Sequence, residues 1–272
     1  MRIRLGYDIG YRLQQPTPMI ATLNVHYSRA GDLESPDTMA TQPSTPFTSY
    51  RDDFGNWINR LTAPAGLFTI RADTVIRDPG TPDATPNGGA QLPVEDLPPD
   101  VLVYLLGSRY CETDLLTEAA WDHFASTPPG WERVQAISSF VHQHITFDYF
   151  SARPSMTALD VFNDRRGVCR DFAHLGVALC RAMNIPARYC TGYLGDIGVP
   201  PAADPMDFSG WFEVYLQDGW FVVDPRNLIP RIGRILIARG RDAADVAITT
   251  SFGPNLLDHF TVWTDELTRT PR

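Results

Sequence analysis

Of four cysteines, Cys169 stands where a sequence can activate a thiol. It follows "RRGV" and opens the apolar run "FAHLGVALCRAM". Such a run forms a helix buried almost all round, with Cys169, Arg170 and Asp171 in its first turn. The partial positive charge of a helix N-terminus favours a thiolate, and a thiolate can open an amide by acyl transfer. Helix position by itself is expected to bring the thiol below its ordinary pKa of about 8.5. Cys180 and Cys190 read as small core residues.

A thiol nucleophile needs something to take its proton, and no histidine is placed to do so locally. His174 is five residues past Cys169, about 140° round the helix, and reads as a hydrogen-bonded residue of a buried helix. His142 and His144 are about 200° apart on their own helix, so they form no metal pair there. His259, in "LLDHFTVW", could reach the site only through tertiary folding, and His26 and His123 carry no signal. Asp207 is a carboxylate that takes a proton only if desolvated. Asp171 reads as a helix N-terminal charge or an arginine partner.

The elements that would position these residues change character along the chain. Residues 1–78 alternate as strands, in "MRIRLGYDIGYRL", "MIATLNVHY" and "LFTIRADTVI". Residues 79–100, dense in proline, glycine and aspartate, read as a linker and the preferred site of proteolytic nicking. Residues 101–272 then form an α+β unit. Helices are expected near 115–125, 131–145, 156–163 and 169–183, and strands near 187–194, 211–216 and 220–224. An Asp218-Gly219 turn would join the last two strands and set Glu213 opposite Asp224.

Three segments in this order resemble the transglutaminase-like superfamily, in its bacterial cysteine-peptidase-like branch: "RRGVCRDFAHL", "IPARYCTGYLG" and "FSGWFEVYLQDGWFVVDPRN". The resemblance implies a papain-like core, a cysteine-bearing helix against a small antiparallel sheet, preceded here by an N-terminal β-sandwich-like domain. It implies acyl transfer through a Cys–His–Asp triad. By position Cys169 matches the nucleophile and Asp224 the acid that orients the imidazole. The family's histidine precedes an alanine-tryptophan pair, and that position is Ser209, followed by Gly210 and Trp211. A serine hydroxyl accepts a proton poorly near neutral pH, so a general base usually contributing about 10²–10⁴-fold is missing. Tyr149 is a candidate second oxyanion donor beside the Cys169 N–H. Trp211 and Arg226 are candidate substrate contacts, against the plainer reading of core tryptophan and solvated arginine.

Net charge is −9, and all 23 basic residues are arginine. That composition argues against nucleic acid or an anionic membrane as partner and removes Schiff-base and P-loop lysine chemistry. No apolar run approaches the ~18–20 residues of a membrane span. Four cysteines do not make a disulfide framework, and a cytoplasmic setting is expected. No metal-ligand spacing or calcium-type acidic loop is seen, so no metal or cofactor is expected. The expected substrate is a peptide or protein amide, cleaved rather than crosslinked. The alternative is a catalytically inactive transglutaminase-like domain that binds a peptide or protein.

Overall fold

The structure, a computed structural model, describes residues 1–202 and 205–267. The strands β1 (Arg2–Leu13), β2 (Thr17–Ala21), β3 (Ala40–Gln42), β4 (Phe47–Arg51), β5 (Trp57–Ala63) and β6 (Gly66–Arg77) come first. In β1 every second residue is apolar, and Ile3, Leu5, Tyr7, Ile9 and Leu13 are all buried, as a period-two pattern requires of a strand with one face inward.

Next come α1 (Thr113–Phe124), α2 (Trp131–His144), β7 (Thr146–Phe147), α3 (Ala158–Asp164), β8 (Arg166–Gly167) and α4 (Cys169–Ala182). They are followed by β9 (Ala187–Leu194), β10 (Ser209–Leu216), β11 (Gly219–Val223) and β12 (Arg234–Gly240), and the described chain ends with β13 (Thr249–Ser251) and β14 (Asn255–Glu266). The helices fall where the apolar spacing places them. α4 is buried along nearly its whole length and packs on the antiparallel sheet ordered β11-β10-β9-β12. Contact is close enough to require Gly176, because a Cβ there would lie 2.4 Å from the Phe212 ring.

The fold is α+β, with a cysteine-bearing helix against an antiparallel sheet, as expected. The boundary at residue 100 does not divide it as the sequence suggests. β14 returns to pair with β1 from Leu13 to Ile3, and β13 pairs with β2. The first two sheets, ordered β14-β1-β6-β3 and β13-β2-β5-β4, are thus completed by the C-terminal segment. One buried apolar cluster runs from Ile3 through the α4 helix to Val262. Nor does the stretch 79–100 hang free. The Asp83 N–H donates to the Arg231 carbonyl, the Trp131 N–H to Gly89, and the Gln217 N–H to Ala90. The stretch therefore lies as a strap along the second half of the molecule.

The β10–β11 hairpin is also shifted from its expected register. Leu216 pairs with Gly219 and Glu213 with Val222, so the turn is Gln217-Asp218. Because the shift is by two, the facing of each side chain is unchanged. Glu213 is held across the sheet by Arg188 on β9, Nε to Oε2 at 2.6 Å.

Candidate active site

Cys169 is half-buried at the first position of α4. Asp171 caps the helix from within, its Oδ2 accepting the Val168 N–H at 2.9 Å while Oδ1 accepts from Arg170 Nε at 3.0 Å. The start of β10 lies against this turn. The Phe208 carbonyl oxygen is 4.0 Å from the Cys169 sulfur, and the Gly210 backbone favours the thiolate. Gly210 allows this approach, since a Cβ there would meet the Tyr189 hydroxyl at 2.6 Å and the Arg170 backbone at 3.2 Å.

The cysteine opens onto a cleft of about 440 Å³. Ser209, Asp207, Tyr149, Arg226, Phe208 and Asp196 share its walls. No histidine lines it among the described residues. His142 Nδ1 binds the Pro225 carbonyl at 2.9 Å, and His144 Nε2 the Phe162 carbonyl at 2.7 Å. His259, which tertiary folding could have carried to the site, instead binds Asp8 at 2.8 Å on the sandwich. His174 is fully buried and its Nε2 accepts the Ala243 N–H at 3.1 Å.

The electrostatics of Cys169 depart from the expectation for a helix N-terminus. Burial pushes the thiol up and outweighs the Gly210 N–H and the Arg226 guanidinium, which favour the anion, while Asp207 and Asp224 oppose it. Burial of the sulfur thus works against the anion that the helix N-terminus favours.

Asp224 borders an adjoining hollow rather than the cleft itself. Its Oδ2 accepts from Asn227 Nδ2 at 2.8 Å and from Arg234 Nη2 at 3.0 Å, and its Oδ1 accepts the Asn227 N–H. Arg234 is also held by Asp83 of the strap, Nη2 to Oδ2 at 3.0 Å, and its guanidinium carbon lies 4.7 Å from the Trp211 ring centroid. This network was not legible in the sequence, where Asp83 sits in a linker-like stretch and Arg234 in no motif.

Two site candidates are corrected. Trp211 is 1% exposed, beneath Arg234, and cannot touch a substrate in the cleft. Its parity puts it on the sheet face opposite Phe212, whose ring lies against Gly176 of α4. Tyr149 does line the cleft, but its hydroxyl donates to Asp207 Oδ2 at 3.1 Å. The proton an oxyanion would need is thereby engaged. Arg226 lines the cleft with its guanidinium 4.0 Å from the Phe147 ring centroid, well placed to meet a negative or developing charge.

A cysteine at the head of a buried central helix, abutting the first strand of an antiparallel hairpin, defines a papain-like thiol-site fold. The transglutaminase-like superfamily profile matches residues 121–225, which contain Cys169, Ser209 and Asp224. The uncharacterized protein Rv2569c of Mycobacterium tuberculosis is 31% identical over 230 residues, covering 77% of this chain and 72% of that protein. The uncharacterized protein ML0607 of Mycobacterium leprae is 25% identical over 262 residues, covering 90% and 91% of the two chains. The crystal structure of a candidate cysteine protease from Cytophaga hutchinsonii superposes with a TM-score of 0.85 at 29% identity, covering 100% of this chain and 93% of that one. The chain belongs to the transglutaminase-like superfamily.

Proposed function

We propose that this protein is a cysteine-dependent amidase or peptidase of the transglutaminase-like kind, acting on a peptide or protein amide through Cys169. The observation that carries this reading is the meeting of Cys169, at the head of α4, with the start of β10 and the Arg226 charge at one cleft. A core thiol has no use for such an arrangement. The helix N-terminus at Cys169 supplies backbone donors for the oxyanion, and Arg226 adds positive potential for it or for a substrate carboxylate. Asp224, in the position of the family acid, orients no ring here and serves to fix the 224–227 segment. Four unpaired cysteines support a reducing compartment such as the cytoplasm, and among the described residues no helix is long and apolar enough to cross a membrane.

The test is labelling with a peptidyl chloromethyl ketone panel, followed by mass spectrometry of the Cys169 peptide. Labelling of the folded protein at Cys169, with hydrolysis of a matched peptide anilide that Cys169→Ala abolishes, is the expected result. Labelling seen only after unfolding would sink the proposal. A second reading has one observation in its favour, the burial that pushes the thiol up at a site with Ser209 where the family has histidine. On that reading the cleft binds a peptide without cleaving it, and the labelling experiment separates the two.

A further inference from the structure

Asp196, Asp207 and Asp224 stand in or beside the cleft, and their partners differ. Asp224 is bound to Arg234. Asp196 lies 3.6 Å from Arg231 and accepts the Ala202 N–H at 2.7 Å. Asp207 takes its hydrogen bonds from neutral donors, the Tyr149 hydroxyl at 3.1 Å and its neighbouring Phe208 N–H at 2.6 Å. A half-buried carboxylate held by neutral donors keeps its affinity for a proton. Burial accordingly pushes Asp207 up. Asp207 is also joined to the reacting atom through the chain itself. The next residue is Phe208, whose carbonyl contacts the Cys169 sulfur, and the negative charge of Asp207 is felt at the thiol.

The geometry points to Asp207 as the proton acceptor of the Cys169 site, standing in for the absent imidazole, with Arg226 as the compensating charge. This rests on the proposed thiol chemistry and assigns it a base. As the Cys169 sulfur bonds to an amide carbonyl carbon, its proton passes to the Asp207 carboxylate and the C=O π pair moves to oxygen. Collapse of the adduct breaks the C–N bond, and the Asp207 carboxyl returns that proton to the departing nitrogen. A thioester and a free carboxylate remain. Water then adds to the thioester carbonyl while Asp207 takes its proton. The C–S bond breaks, the thiolate recovers the proton, and the net change is amide plus water to acid plus amine. Tyr149 holds the carboxylate in place, a positioning role.

An acetyl group supplied by p-nitrophenyl acetate tests the base without knowledge of the natural substrate. Acetyl-Cys169 is formed in a short pulse, excess reagent is removed, and its decay is followed by intact mass. In Asp207→Asn the decay is expected to slow by about 10²-fold or more, the usual scale of general-base assistance, and Asp207→Glu should recover part of it. Circular dichroism and the thermal midpoint confirm that the variants fold. A second measurement uses the unaltered protein. Deacetylation assisted by Asp207 rises with pH as one carboxyl ionises and then levels, whereas attack by hydroxide rises tenfold per pH unit throughout. Equal decay in wild type and Asp207→Asn, or a purely hydroxide-dependent profile, would overturn the assignment of Asp207 and leave Cys169 as nucleophile. Failure of Cys169 to acetylate in the folded protein would overturn the thiol chemistry and the base together.

Discussion

Arg234 Nη2 lies 3.0 Å from Asp224 Oδ2 and 3.0 Å from Asp83 Oδ2, so one nearly sealed guanidinium joins the strap to the segment beside the Cys169 cleft. Burial works against its charge, and the two carboxylates more than restore it. Breaking such a group apart leaves an uncompensated buried charge. Asp83→Ala is expected to lose about 1.5–3 kcal/mol, the scale of a hydrogen bond to a charged group. Arg234→Met strands both carboxylates and should lose about 3–5 kcal/mol. Urea unfolding midpoints at constant slope give both numbers. An Asp83→Ala protein as stable as the parent would mean that the strap only rests on Arg234.

The pairing of β14 with β1 makes the first 78 residues incomplete on their own. A fragment ending at residue 78 leaves β1 with an open edge facing water. It should be aggregated or unfolded by size-exclusion chromatography and circular dichroism. Supplying residues 249–267 in trans should restore a soluble complex. A monomeric, folded fragment 1–78 would show that the β-sandwich needs no C-terminal strand.

The thiol of Cys169 should respond in sign to each neighbouring charge. Arg226 favours the thiolate, so Arg226→Gln should move the midpoint of iodoacetamide alkylation to higher pH. Ser209→His sets an imidazole beside the sulfur and should move it lower. With Asp224 already committed to Arg234 and Asn227, that gain should stop short of the ~3–4 of a histidine-paired thiol. A Ser209→His midpoint at or above the parent's would show that the side chain at 209 does not face the sulfur.

His26 carries a pH signature far from the cleft. It is fully buried, and burial lowers its pKa from 6.5 to about 4, helped by Arg239, Arg188 and Arg51. Between those values the unfolded chain binds a proton that the folded chain refuses. Stability should therefore fall as pH falls through that window and level off below about 4. The loss is on the order of 3 kcal/mol at ~1.36 kcal/mol per unit. The difference in unfolding free energy between parent and His26→Asn, measured at pH 7 and pH 4.5, isolates it from the other ionisable groups. No change in that difference with pH would refute the assignment.

Local pattern was enough for the parts of this protein that local forces decide. The three-to-four spacing of Trp131, Val134, Ile137 and Val141 marks α2, and these residues lie on that helix. The apolar run after Cys169 is the buried α4 that begins at Cys169. Most of β10 is legible too, expected near 211–216 and found from Ser209 to Leu216. The absence of a histidine at position 209 is a fact of sequence alone.

What the tertiary structure decided depends on residues far apart in the chain. β14 pairs with a strand more than two hundred residues away, and nothing in its own alternation names its partner. A strand pattern states which face is buried, while the choice of neighbour follows from loop closure and the competing edges of the whole sheet. The burial that pushes the Cys169 thiol up is not written in its helix position, because desolvation is a property of everything packed around the sulfur. The partners of Asp207 and Asp224 could not be read off for the same reason. A carboxylate clamped by arginine and one held by neutral donors are the same letter in sequence, and only the folded chain makes them chemically different.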